Sequence, residues 1–206
     1  MKKARRPRPT GRPDRVRLRA AARRFLEAIG EPELRRDQAR TPQRVADAWA
    51  GEILSGYAAD PRRILGAGFP ARDRDLVVVK DIPFVSVCVH HLLPFAGTAH
   101  VGYLPAKRLA GLSKIARVVD VLSRRLQLQE RLTRQVTAAL MEGLAPLGAA
   151  CRMEAEHQCM TIRGARKRGT RVVTTAYEGA FRARPALRAE FLRLSSSAAD
   201  HGRGRR

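Results

Sequence analysis

The chain has 206 residues, 44% of them hydrophobic, and a formal net charge of +22. No apolar run reaches the roughly 18 residues of a membrane-crossing helix, and the basic N-terminus lacks the apolar core of a secretory signal. Three cysteines, an odd count, exclude a disulfide framework and point to a reducing, cytoplasmic location.

The charge is not evenly spread. Residues 1–24 hold eleven Lys/Arg and one acid, and residues 161–206 hold twelve and three. The middle, 25–160, holds eighteen basic and fifteen acidic residues and is nearly balanced. The first fourteen residues are Arg/Pro-rich and cannot bury apolar surface, so a disordered tail is expected over 1–14. Such a tail offers RNA or an acidic surface weak attachment at most. The plainer reading is a solvated tail, since Arg is preferred over Lys throughout the chain.

Residues 15–29 carry apolar positions at helical spacing and stop at Gly30. Thr41 then Pro42 reads as an N-cap and first-turn proline, opening a helix through Val45, Ala46, Trp49, Ile53 and Leu54. Residues 58–75 read as a loop. Residues 76–88 are β-branched and apolar, a strand kinked at Pro83, and 95–104 form a second strand antiparallel to it. Residues 113–125, with Ser113 as cap, and 129–144 are amphipathic helices. Strand character returns over 149–162 and 171–180, around the basic turn 163–169. A short helix follows over 185–194, and a frayed basic tail over 195–206. The pattern predicts an α+β domain, an antiparallel four-stranded sheet with helices on one face, preceded by N-terminal helices over 15–57. Its free edges need cover, so self-association is expected.

The chemistry concentrates in two short clusters. Cys88-Val89-His90-His91 and His157-Gln158-Cys159 gather two of the three cysteines and three of the five histidines. Thiolate and imidazole are preferred zinc ligands, and three protein ligands with one open position define a catalytic zinc. Cys88, His91 and Cys159 can supply that triad. His90 and His157 are left beside it, with ring pKa values suited to proton transfer. The bland alternative is that these thiols are small buried hydrophobes. Cys151 has no such company and reads as a structural thiol.

Several stretches resemble the GTP cyclohydrolase I family. They are Thr41-Pro-Gln-Arg-Val-Ala, Cys88-Val-His-His-Leu-Leu-Pro-Phe, Gly111-Leu-Ser-Lys-Ile-Ala-Arg, Gln127-Leu-Gln-Glu-Arg-Leu-Thr, His157-Gln-Cys-Met-Thr-Ile-Arg-Gly and Phe181 with Glu190-Phe-Leu, in family order. The resemblance spans about residues 16–194 and leaves both tails uncovered. It implies a tunnelling fold (T-fold) core over 76–194, within a domain over 15–194. It also implies a homodecamer of two pentamers, with active sites at subunit boundaries. The implied reaction converts GTP to 7,8-dihydroneopterin triphosphate and formate, opening folate and pterin synthesis. The alternative is a relative acting on a modified guanine nucleotide in a specialised pterin or deazapurine pathway. A third reading makes the chain a binding protein with a closed structural zinc, and the two spare histidines argue against it.

By the same resemblance, Cys88, His91 and Cys159 hold Zn²⁺, and His90 and His157 move protons. Glu130, with Gln129 beside it, accepts from the N1–H and 2-amino group of guanine. Ser113, Lys114, Arg117, Arg163 and Arg44 face the triphosphate, whose charge of roughly −4 calls for several fixed cations. Two positions depart from the family pattern. Val89 stands where Glu is usual, and Asp47 where Lys is common. The first removes a carboxylate beside the metal position, and the second replaces a cation by an anion near the phosphates. Zinc binding should survive both departures, while rate or substrate preference changes. The double variant Val89→Glu/Asp47→Lys should therefore differ from the parent in steady-state turnover of GTP, and unchanged turnover would contradict this.

Overall fold

The computed structural model describes residues 11–30 and 39–196. Most of the expected N-terminal tail and residues 197–206 of the C-terminal one lie outside the described residues. The chain divides into two compact units, residues 1–59 and 60–206.

The first unit is helical. Helix α1 (Arg15–Ile29) is capped by Asp14, whose carboxylate accepts from the amides of Val16 and Arg17. It ends at Gly30, where φ is 73° and a left-handed residue is needed. Helix α2 (Thr41–Ala48) packs on α1 and runs on into a π turn over Trp49–Ile53. Thr41 does not cap it: the N-cap is Arg40, with no side-chain bond, and Thr41 is already helical. A polar chain ties α1 to α2. Arg19 donates to Gln43, Gln43 donates to Asp47, and Arg15 lies 3.7 Å from the Asp47 carboxylate.

The second unit is built on a five-stranded sheet in the order β5-β2-β3-β6-β7. Its strands are β2 (Val77–Cys88), β3 (Pro94–Leu104), β5 (Leu126–Gln127), β6 (Gly148–His157) and β7 (Arg171–Gly179). The four long strands are the antiparallel set expected, and the short β5 adds a parallel pairing at the end of β2. The loop expected over 58–75 contains a helical turn, α3 (Pro61–Ile64), and a short strand, β1 (Phe69–Pro70), paired with β4 (Arg108–Leu109). The irregularity in β2 lies at Lys80-Asp81 rather than at Pro83. Pro83 stays in register opposite Thr98, whereas Asp81 takes φ 58° in a bulge.

Helices α4 (Leu112–Ser123) and α5 (Gln129–Leu144) cover one face. Their Ile115, Val118, Leu122, Leu132, Val136 and Leu140 interleave with Phe84, Phe95, Val101, Tyr103 and Met153 of the strands, all buried. Ser113 is not the cap of α4; Gly111 is, without a side-chain bond. The opposite face is covered at one end by α7 (Ala180–Ala183) and α8 (Pro185–Ser195), an addition to the one-sided arrangement expected. Phe191 of α8 sits where a Cβ on Gly102 would be, 2.7 Å from its ring, so that glycine admits the helix to the sheet. On β7, at the sheet edge, Arg182 Nε donates to the Tyr177 carbonyl at 2.7 Å.

His100 lies on β3, buried on the α8 side of the sheet, opposite Arg152. Its Nδ1 accepts from the Asp81 amide at 3.2 Å, which requires the neutral ring. Burial pushes its pKa below the usual 6.5, against the pull of the Asp81 carboxylate, while Arg152 pushes the same way as burial. The unfolded chain takes up this proton near 6.5, and the folded chain only at lower pH. Stability should therefore fall as pH drops from about 6.5 through the folded value. Thermal unfolding followed from pH 7.5 to 5 should show this slope, and His100→Gln should flatten it.

Candidate active site

The two clustered segments lie at one end of the sheet. Val87 faces Pro94 across the hairpin, and a tight turn closes it: the Cys88 amide donates to Leu93 O, and the Leu92 amide to Cys88 O, both at 2.9 Å. Leu92 takes φ 55° to make that turn. The turn lifts His90 and His91 into solvent, their rings edge to face with centroids 6.2 Å apart, above the buried Cys88. Across β3, Phe95 pairs with His157, the last residue of β6. A single helical turn, α6 (Gln158–Thr161), then carries Cys159, half-buried. Chain topology thus brings both clusters to neighbouring strand ends.

The donor types suit zinc: two thiols and an imidazole, with a buried sulfur at a strand end. Among the described residues, no three His, Cys, Asp or Glu side chains already stand together as a metal-holding group.

His157 is the most constrained residue here. Its ring stacks on Phe95 with centroids 4.6 Å apart and planes 5° from parallel. Its Nε2 lies 2.7 Å from Gln129 Oε1. Burial lowers its pKa, and the Glu130 carboxylate opposes that shift. Glu130 is exposed in the first turn of α5, within electrostatic reach of the ring. Gln129 departs from the role expected of it beside guanine. It is buried, and its amide nitrogen is spent on Met153 O, Val172 O and Thr174 Oγ1.

Neighbouring residues lock this corner. The Val89 amide donates to Gln127 O at 3.0 Å, joining β2 to β5. The Val89 side chain itself is 39% exposed. Gln127 is buried, donates to Leu122 O and Gln135, and accepts from Arg131. Pattern reading missed Gln127 and Arg131. Their signal was a glutamine at the foot of a helix that begins beside a strand end, too common to single out.

The residues expected to face phosphate are dispersed. Arg163 is exposed in the loop that follows α6, near the cysteine–histidine end. Ser113, Lys114 and Arg117 sit at the start of α4. The other end of that helix is held to the cluster end of β2, where Ser86 Oγ donates to Ser123 O at 2.6 Å. At 1.5 Å per residue, Lys114 lies about 14 Å up the helix from Ser123. Within one chain, α4 therefore carries these cations away from His157. Arg44 belongs to the first unit and is exposed on α2. Asp47, on the same helix, is engaged by Gln43 and Arg15 as described.

Comparison with known proteins bears directly on this arrangement. The family model for GTP cyclohydrolase I matches residues 18–196. The chain belongs to the GTP cyclohydrolase I family. The GTP cyclohydrolase 1 of Dehalococcoides mccartyi is 45% identical over 183 residues, 88% of this chain and 96% of the relative. That of Deinococcus radiodurans is 50% identical over 176 residues, 85% and 81% of the two chains. Among solved structures, the archaeosine synthase QueF-Like in its apo form aligns at 18% identity with a TM-score of 0.45, over 53% of this chain and 98% of that one. Membership makes the chain an enzyme of the GTP cyclohydrolase I family, with the α+β T-fold of that family. Among the described residues, no helix is long and apolar enough to cross a membrane.

Proposed function

We propose that this chain hydrolyses and rearranges GTP to 7,8-dihydroneopterin triphosphate and formate, in the cytoplasm, at the entry to folate and pterin synthesis. The observation that carries the proposal is that the Cys88–His91 turn and the His157–Cys159 segment follow neighbouring strands at one end of the sheet, in a chain of this family. Residues 15–194 form the catalytic body in this reading.

Cys88, His91 and Cys159 would hold the zinc. When bound, it supplies Lewis acidity and lowers the pKa of water for attack on the purine. His90, exposed in the turn, and His157, fixed against Phe95, exchange protons with ring nitrogens and ribose oxygens as bonds break. Glu130 accepts the N1–H and 2-amino hydrogens of guanine, a pairing that adenine cannot offer. Ser113, Lys114, Arg117, Arg163 and Arg44 supply hydrogen bonds and positive charge to the triphosphate.

The distance along α4 between Lys114 and the His157 end supports a site shared between copies of the chain. One copy brings the histidines, and a neighbour brings the start of its α4. The proposed assembly is a decamer of two pentamers, closing exposed sheet edges such as β7.

Purified protein should contain one zinc per chain and release formate from GTP, leaving a product that oxidises to a fluorescent pterin. A chelator should abolish this and zinc should restore it. Cys88→Ser should lose both metal and turnover, and formate release at the parental rate in that variant would defeat the proposal. Separately, Lys114→Ala and His157→Ala should each be inactive. Co-assembled, they should regain up to roughly a quarter of parental activity, the share of boundaries with both halves intact on random mixing. No recovery would place the whole site within one chain.

A further inference from the structure

We propose that Gln129 is a positioning residue that holds His157 in the tautomer protonated at Nε2, leaving Nδ1 as the ring's free lone pair. The kinetic part of this inference rests on the function proposed above; the tautomer does not.

The argument is one of donors and acceptors. The carbonyls of Met153 and Val172 can only accept. Gln129 Nε2 lies 3.2 Å from the first and 2.9 Å from the second. The opposite amide orientation would set an oxygen against two carbonyl oxygens, at 3.2 and 2.9 Å, in a buried place. The –NH₂ group therefore faces the carbonyls, and Oε1 faces His157. At 2.7 Å from Nε2, that oxygen can only accept, so Nε2 carries the hydrogen.

The rest of the network has the same sense. Gln129 Nε2 lies 3.2 Å from Thr174 Oγ1, Thr174 lies 2.6 Å from Thr133 Oγ1, and Thr133 donates to the Gln129 carbonyl at 2.7 Å. With the Thr133 hydrogen committed there, Thr174 donates to Thr133 and accepts from Gln129. The two amide hydrogens of Gln129 are then shared among three acceptors, all on the side away from His157. Thr133 and Gln129 are buried, so water does not compete. Phe95, stacked flat on the imidazole, restrains a ring flip that would put Cε1 in the place of Nε2 beside Gln129. Gln129 thereby acts through His157 and not on substrate, and the ring presents Nδ1 to any proton it takes.

Solid-state ¹⁵N NMR of the zinc-loaded full-length protein, labelled at the histidine ring nitrogens, reads this directly. His157 resonances are assigned by their loss in His157→Gln. The parent at pH 8 should show His157 with a protonated Nε2 and a bare Nδ1. Gln129→Met, of similar volume without polar atoms, should show both tautomers. Its kcat on GTP should fall about tenfold or more with KM changed less than about twofold, the pattern of a group that acts only in the transition state. A parental His157 protonated at Nδ1 would overturn the proposal, and that spectrum needs no variant to fold. So would a Gln129→Met enzyme with raised KM and parental kcat, since that marks a substrate contact. A parent that turns over no GTP would instead sink the function proposed above, with the spectrum still deciding the tautomer.

Discussion

The antiparallel pairing of β3 with β6 is the constraint on which the site depends. It runs in unbroken register from Phe95 opposite His157 to Leu104 opposite Gly148. The two backbones lie so close that a Cβ on Gly97 would fall within van der Waals distance of Glu154 O and Ala155. One slip of register would turn His157 to the other face of the sheet and bring Glu156 opposite Phe95. The turn bearing His90 and His91 hangs from the start of β3, and α6 with Cys159 from the end of β6. Both clusters therefore inherit their separation from this one ladder. The apolar layer of α4 and α5 then holds the ladder from one side, and Phe191 holds it from the other.

Much of this was legible in the residues. The period-2 and period-3.6 patterns located the four long strands and the helices α1, α4, α5 and α8, though the strand expected over 149–162 ends at His157, where the turn of α6 takes over. The two Cys/His clusters were visible for a different reason: side chains of that chemistry are scarce in this chain, so their proximity stands out. What pattern could not reach was set by tertiary geometry. The β2 irregularity was assigned to Pro83, the one residue that cannot donate, but the edge side there needs no donor, and the strain settled on Asp81, which finds His100. Thr41 and Ser113 have the chemistry of caps, yet the cap positions fall earlier, at Arg40 and Gly111.

Gln129 shows the same limit more sharply. Its position beside Glu130, at the foot of a helix, suggests a residue turned outward to ligand. The side chain instead points inward, where β6 and β7 present two carbonyls within reach of its amide. Only the register of those two strands makes that visible. The dispersal of Ser113, Lys114 and Arg117 away from His157 is likewise a property of α4's direction, which no local motif encodes.

The Arg182–Tyr177 contact has a consequence beyond the protomer. Tyr177 pairs with Ala150 in a register that turns its carbonyl outward, away from β6. That carbonyl is already occupied by a guanidinium. A strand laid along β7, a neighbouring copy's included, finds this one acceptor taken, so its pairing has to use the other outward groups of the strand.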